Sequence, residues 1–464
     1  MGGGLPCTRA RDMSVVALDI GTSRMKALLA HWDGRVEAAR TVKTPAHVPA
    51  AGQLVFPADA IYAQAATLVA GIAAAHPDDP VDTIVFSCLG TAMVPLDRAG
   101  RPLGPALSPA DVRPSTTPAL LDRLDLAAAD LVRLTGQDPR IPSFLLHWLW
   151  WRQAHPSVMG RLHRFRSLRG YAVQELCGAD AEDASWASRT MLADLVTSSW
   201  SETVLAAADL PSEALPMIYP STAVWPVHGT AGSRFGLAPD ACAVLGAIDN
   251  CSAVLGATDP SEERLVNITG TYEHMAGVGG LEVARSSAAA VDGLVQRYLL
   301  PNRYISYSRV PLGHLLLQAS GESAESLDRL LDGVSAEPVG RRMRLDEGAV
   351  RSELRADTPP AVVIQGLLES AGGVLARYVE AWEAAGQQAD RIVAVGGGVA
   401  RPRPLQLKAN LLGRSLSTLT FDEGAGLGAL RLAAMAVRGA SPSAASSLFP
   451  NPILRTWSPG DGAA

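Results

Sequence analysis

Lysine is nearly absent from this chain: Lys26, Lys43 and Lys408 are its only three, although lysine and arginine together number 40. The positive charge is therefore arginine, dispersed among 46 acidic residues for a net charge of -6, and no basic cluster adjoins an aromatic series. That distribution excludes a nucleic-acid grip, which needs a field of one sign along a backbone. The densest basic stretch, Arg164, Arg166 and Arg169, reads as a solvated face. Cysteine is sparse too. Cys7, Cys88, Cys177, Cys242 and Cys251 are odd in number and without close pairs, which excludes a zinc site or disulfide framework and points to a reducing cytoplasm. No uninterrupted apolar run of about eighteen residues occurs, so a membrane partner is not expected. Residues 1–13 hold Gly2, Gly3 and Gly4 but no apolar signal core, and a disordered extension is expected there.

What is present is length. With 464 residues, 48% of them hydrophobic, the chain exceeds what one core organises and suggests two domains. Near its start, the apolar Val15–Leu18 stretch leads to Asp19, then to Gly21, Thr22 and Ser23, and a second apolar run follows Lys26. Strand, polar tip and returning strand make a hairpin. Backbone N–H groups and hydroxyls at such a tip can hold phosphate oxygens while a carboxylate beside it faces a metal. An ordinary hairpin whose aspartate caps its own turn would look the same.

Downstream, the spacing predicts a strand over 36–42, a buried helix over 58–75 and a strand over 82–87 that feeds the loop Cys88, Leu89, Gly90, Thr91, Ala92. Asp111 and Arg113 stand in a proline-rich loop. Helices are expected over 120–134 and 143–153, the latter with Trp148, Trp150 and Trp151 as packing residues. A strand over 243–248 then ends in Asp249 and Asn250 before a helix of small residues. Its N-terminus would favour an anion, and Asp249 could equally be a simple cap. The segment 265–271 is again a strand running into a glycine and a threonine, Gly270 and Thr271, echoing the opening hairpin as a duplicated domain would. A long helix is expected over 361–385, a strand over 391–395 entering Gly396, Gly397 and Gly398, and helices over 404–412 and up to 437. The stretch beyond Gly439, rich in Pro, Ser and Gly, is expected to drape or stay disordered.

These motifs, in this order, resemble the FGGY carbohydrate kinases of the actin, hexokinase and heat-shock-chaperone ATPase superfamily, similar to xylulose, gluconate and glycerol kinases. The resemblance runs from about residue 14 to 437. It implies an α/β protein of two ribonuclease-H-like (actin-like ATPase) domains, each a mixed five-stranded sheet flanked by helices, with the active site in the interdomain cleft. Residues 14–245 would form the sugar-binding domain with the first phosphate motif, 246–440 the ATP-binding domain, and 441–464 a tail. ATP and Mg²⁺ are the implied cofactors, a small sugar or polyol the partner, and a homodimer the assembly common in the family, although no segment here marks an interface.

Carried over residue by residue, Asp19 would sit by the metal, while Gly21 and Thr22, with Ser23 and Lys26 nearby, line the first phosphate site. Gly270 and Thr271 would form the second. Gly397 and Gly398 match the adenosine motif, where a side chain would obstruct the nucleotide; a plain strand-to-helix turn is the other reading. Gln406, Asn410 and Glu423 flank that motif as weaker candidates. Asp249 matches the catalytic base, and Asn250, Thr91, Asp111 and Arg113 the substrate side. Several positions depart from the family. The Cys88–Ala92 loop lacks the amide and imidazole of xylulose kinases, Pro109 replaces an aromatic residue, and Tyr272 stands where the second phosphate motif has serine. The runner-up expectation is a nucleotide-binding regulator or scaffold that kept the fold and lost transfer chemistry.

Overall fold

The computed structural model describes residues 13–460 except 118, 119, 261 and 263. The extension expected over 1–13 thus lies, Met13 apart, outside the described residues. Two compact units are formed. The first comprises residues up to Gly256 with Gln296–Pro301 and Ala425–Pro450; the second comprises Ala257–Val295, Asn302–Gly424 and the residues from Asn451 on. The expected divide at 245/246 would cut the fully buried strand Cys242–Ile248, which runs directly into the helix Asp249–Ala257. Compactness instead divides the chain after Gly256.

In the first unit a six-stranded sheet has the order Val224–Pro226, Cys242–Ile248, Val81–Cys88, Ser14–Ile20, Arg24–His31, Val36–Lys43. Its central strand, Ser14–Ile20, is buried throughout, as a strand covered on both faces must be. Alternation assigns its side chains. Val16, Leu18 and Ile20 join one core with Ile61, Leu68 and Ile72 of the helix Ala58–Ala74. Val15 and Ala17 join another with Leu427, Leu430 and Ala433 of the helix Gly424–Arg438. Asp19 shares the parity of Val15 and Ala17.

The second unit repeats the pairing. Leu265–Thr269 pairs antiparallel with Glu273–Gly279 and parallel with Arg391–Val395, as Ser14–Ile20 does with Arg24–His31 and Val81–Cys88. Tyr304–Tyr307 and Ser415–Leu419 complete five strands, and Leu294–Arg297 and Ile453–Trp457 extend the sheet to seven. The five strands expected per domain are therefore a core to which edge strands are added, six in one unit and seven in the other. Such additions pair the outer strands of the core and leave short strands at those edges. The helix Pro360–Ala384 covers this sheet with Leu375, Tyr378, Val379 and Trp382.

The segment beyond 439 does not drape. Pro442–Leu448 is a helix whose first turn is capped by Ser441 Oγ, accepting from Ala444 N at 3.2 Å. Phe449 is fully buried, and Ile453–Trp457 pairs antiparallel with Ser415–Leu419. Buried Ala445 and Phe449 in one core and Trp457 in another anchor it. Among the described residues no helix is long and apolar enough to cross a membrane.

Candidate active site

Three parallel strands of the first unit, Ser14–Ile20, Val81–Cys88 and Cys242–Ile248, present their C-terminal ends at one sheet edge, where ligands of open α/β sheets are received. Asp19 lies opposite Ser87, whose hydroxyl donates to Asp19 Oδ1 at 2.7 Å. Lys26 is directly across from Asp19 on the antiparallel partner, so both side chains share a face. The tip between them is closed by Gly21 N donating to Arg24 O at 3.1 Å and by Thr44 Oγ1 donating to Gly21 O at 2.7 Å. Thr22 and Ser23 stay exposed.

One strand further on, the loop after Cys88 is pinned by Leu89 N to Ile20 O at 2.9 Å and by Trp186 Nε1 to Leu89 O at 3.0 Å. Thr91 within it has φ 62°, is wholly buried, and its hydroxyl finds no partner. A β-branched residue in the left-handed region with an unsatisfied hydroxyl is strained, and strain of this kind gathers at ligand sites.

Asp249 owes its aim to a bulge. Gly246, at φ 73°, interrupts the register with Val81–Cys88 between Val244 and Ala247, and the extra residue returns Ala247 to the row of Ser87 and Asp19. Asp249 follows two residues later, at the end of a strand whose axis lies two spacings, roughly 10 Å, across the sheet from that of Asp19. Burial pushes its carboxyl up to about 6, while the Asn250 N–H, bonded to Oδ1 at 2.8 Å, and the Arg189 guanidinium pull the other way. Behind it, buried Arg169 pairs with Glu182 and, at 2.7 Å, with Asp183. Asp183 accepts from Ser185 Oγ at 2.6 Å and Ser221 Oγ at 2.8 Å, and Ser185 Oγ accepts from Ile248 N at 3.3 Å. This network fixes the strand end that carries the base candidate. Asn250 Oδ1 accepts from buried Gln296 Nε2 at 3.3 Å.

Asp111 and Arg113 are brought to each other. Arg113 Nε and Nη2 reach the two carboxylate oxygens at 2.9 and 2.7 Å, and Leu54 N adds a bond at 3.0 Å. Burial works to raise the Asp111 carboxyl, but the Arg113 side-chain bonds and the Leu54 and Arg113 N–H groups outweigh it, leaving it below the usual range. The guanidinium stacks 4.7 Å from the Trp150 ring centre. One turn earlier on that helix, His147 is 1% exposed with neither ring nitrogen partnered, and burial lowers it to about 4.

In the second unit the tip at Gly270 and Thr271 repeats the first: Gly270 N donates to Tyr272 O at 3.1 Å, and both residues are exposed. On the adjacent parallel strand, three successive glycines serve three ends. Gly396, at φ 94°, leaves no room for a Cβ, which would stand 2.3 Å from Thr269 O. A Cβ on Gly398 would lie 2.7 Å from Thr269 Oγ1, which accepts from Gly398 N at 2.9 Å. Gly398 is thus required by the protein's own packing. A Cβ on Gly397 would meet nothing within 4 Å, leaving open space on the exposed side of the turn.

Beneath the tip lies a buried triad not foreseen from the sequence. Lys408 Nζ donates to Asn267 Oδ1 at 3.0 Å and to Glu273, and Asn267 Nδ2 donates to Glu273 Oε1 at 2.7 Å. The scarcity of lysine was its one signal. Arg189 and Gln296 lacked even that, and His147 sits in a tryptophan-rich run that reads as packing. Gln406 and Asn410 are used structurally, Gln406 Nε2 on Ser458 O at 2.8 Å and Asn410 Nδ2 on Ala336 O at 2.9 Å. Among the described residues no group of three or more His, Cys, Asp or Glu could by itself hold a metal ion. A lone carboxylate such as Asp19 suits Mg²⁺, which keeps waters and takes phosphate oxygens for the rest.

Comparison with known proteins gives the family. Residues 14–256 match the N-terminal domain of the FGGY family of carbohydrate kinases and residues 336–437 its C-terminal domain. A xylulose kinase of Staphylococcus xylosus is 23% identical over 449 residues, covering 91% of this chain and 90% of that protein. A gluconokinase of Bacillus subtilis is 23% identical over 260 residues, 55% of this chain and 50% of that one. The crystal structure of a xylulose kinase from Lactobacillus acidophilus superposes with a TM-score of 0.81 at 17% identity, covering 97% and 94% of the two chains. With both domains matched in order, the chain belongs to the FGGY family of carbohydrate kinases, ATP-dependent phosphotransferases of the actin-like fold.

Proposed function

We propose that this kinase transfers the γ-phosphate of ATP to a hydroxyl of a small sugar, polyol or cyclitol, with Asp249 as the general base. The observation that carries the reading is the Asp249 carboxyl, raised to about 6 at the end of a buried strand. A carboxylate there is ionised at neutral pH yet basic enough to take a proton late in a loose phosphoryl transfer. The acceptor oxygen bonds to the γ-phosphorus, the bond from that phosphorus to the β-bridging oxygen breaks, ADP leaves, and the hydroxyl proton passes to Asp249. Asn250, oriented by Gln296, holds a neighbouring hydroxyl, and Thr91 offers its unpaired Oγ1 to another. Arg113 and Asp111, locked together and stacked on Trp150, form one wall of the sugar site.

Asp19 and the Gly21, Thr22, Ser23 and Lys26 tip take one set of phosphate oxygens. Gly270 and Thr271 take another, and the open side of Gly397 admits the adenosine. Mg²⁺ held by Asp19 would offset the phosphate charge. The compartment is taken to be the cytoplasm, where ATP is at hand and the four described cysteines, all free and buried, would stay reduced. The Cys88–Ala92 loop and Pro109 argue against xylulose itself as acceptor. A second reading, a nucleotide-binding regulator, draws on Asp111 and Arg113, whose charges are spent on each other. ADP release measured across pentoses, hexoses, polyols and cyclitols, with Asp249→Ala alongside, separates the two. Acceptor-stimulated release that the variant loses supports the kinase; no stimulation by any compound, or an unimpaired variant, overturns it.

A further inference from the structure

At the second phosphate tip, Tyr272 occupies the position where a serine hydroxyl would be a phosphate donor, and the chain packs a cation onto it. The Arg309 guanidinium carbon lies 4.0 Å from the Tyr272 ring centre, within the range at which such a cation is held by the ring's negative face. The far side of the arrangement is ordered as well: the Tyr272 and His274 rings stack at 6.2 Å and 15°, and His274 Nδ1 is bonded to Ser308 O at 2.6 Å. Backbone pairing fixes where Arg309 starts. Ser308 N donates to Met275 O at 3.0 Å, Glu273 N to Val310 O at 2.7 Å and Val310 N to Glu273 O at 3.0 Å. The following residues close on the tip, since a Cβ on Gly313 would stand 2.3 Å from Gly270 O and His314 N donates to Thr271 O at 3.3 Å. Segment 308–314 is therefore wrapped around Gly270 and Thr271, with a half-buried guanidinium at its rim.

We propose that Arg309, braced on the Tyr272 ring, is the cation that binds the terminal phosphate oxygens of ATP at this tip. The proposal rests on the reading of Gly270 and Thr271 as a phosphate site. Backbone N–H groups and one threonine hydroxyl supply dipoles but no charge, whereas a guanidinium supplies both a full charge and a planar fork that fits two phosphate oxygens. Stacking on an aromatic face orients that fork before the ligand arrives, so less freedom is lost on binding. Tyr272 is then a brace that replaces the missing serine by positioning a stronger donor. Its ring is what matters, not its hydroxyl.

The test is calorimetric binding of Mg·ATP and Mg·ADP, with turnover on whichever acceptor stimulates the parent, in Arg309→Gln, Arg309→Lys, Tyr272→Phe and Tyr272→Ala. Arg309→Gln should weaken ATP binding about tenfold or more and lower kcat on the order of 10², while ADP binding stays within threefold. Arg309→Lys should recover part of both, Tyr272→Phe should match the parent, and Tyr272→Ala should fall toward Arg309→Gln. An unchanged ratio of ATP to ADP affinity in Arg309→Gln overturns the proposal while leaving the kinase reading intact, as does a Tyr272→Phe variant as impaired as Tyr272→Ala. A parent that binds neither nucleotide overturns the phosphate tip itself. A parent that binds ATP but turns over no acceptor counts against the kinase alone, and the affinity ratio still decides the role of Arg309.

Discussion

The carbonyl oxygen of Phe86 lies where a Cβ on Gly246 would be, only 1.7 Å away. The bulge that aims Asp249 is therefore open to glycine alone, on steric grounds as well as by its φ of 73°. Gly246→Ala should lose about 2–4 kcal/mol of stability, from overpacking and left-handed strain together, and its turnover should fall with it. Urea unfolding is the measurement; an alanine variant with the parental midpoint would mean that the strand takes a second register.

Because burial raises the Asp249 carboxyl to about 6, kcat should drop about tenfold per pH unit below that value, where the base becomes protonated. Asp249→Asn should abolish this limb and lower kcat by about 10²–10⁴. Arg189→Gln, removing a charge that holds the carboxyl down, should move the limb upward. Stability has the opposite sense. The folded carboxyl is raised above its ordinary 3.8, so its favourable contribution is complete below about pH 4 and disappears as pH rises through about 6. At pH 7 Asp249→Asn should therefore be more stable by about 1–2 kcal/mol after allowance for solvent at this partly open site. A pH–rate profile and paired denaturation curves check both signs.

Among the described residues, Lys408 is the cation that pairs with buried Glu273 beneath the second tip. Lys408→Met should cost about 3–5 kcal/mol by leaving a carboxylate unpaired. Adding Glu273→Gln should restore most of it. Denaturation of the two variants side by side decides: a double variant no better than the single would assign the loss to packing of the lysine stem.

Thr91→Gly should behave unlike an ordinary buried truncation. Glycine accepts the φ of 62°, and the hydroxyl removed had no partner, so stability should stay within about 1 kcal/mol of the parent. KM for the acceptor should rise several-fold with KM for ATP unchanged. Equal increases in both would separate Thr91 from the sugar side.

The parts of this protein that announced themselves were those with one local cause. Val15–Leu18 is apolar on both parities because its strand is covered on both faces, and the glycine-bearing tips at Gly21 and Gly270 recur because the sheet pairing recurs. What stayed hidden depends on residues far apart in the chain. Arg169 with Asp183 and Ser221, or Lys408 with Asn267 and Glu273, carry no spacing that marks them. Asp111 and Arg113 were legible as a pair but not as partners of each other, because two residues at i and i+2 can point to ligand or to themselves with the same letters. The ordered stretch after Gly439 was missed because its anchors, Ala445, Phe449 and Trp457, are too few and too widely spaced to register as a pattern.

The Trp32 and Phe449 rings sit 6.4 Å apart in the second core of the first unit, although more than 400 residues separate them. A ribosome must therefore make most of the second unit before the first unit can close its sheet on both sides. Until then the face of Val15, Ala17 and Leu28 lacks the helix Gly424–Arg438, which supplies Leu427, Leu430 and Ala433 to this core. Contacts this distant in sequence form late and slowly, and a half-covered sheet is the kind of surface that holds chaperones or aggregates. The unit that carries Asp19 and Asp249 is thus finished only once residues 425–450 have joined it.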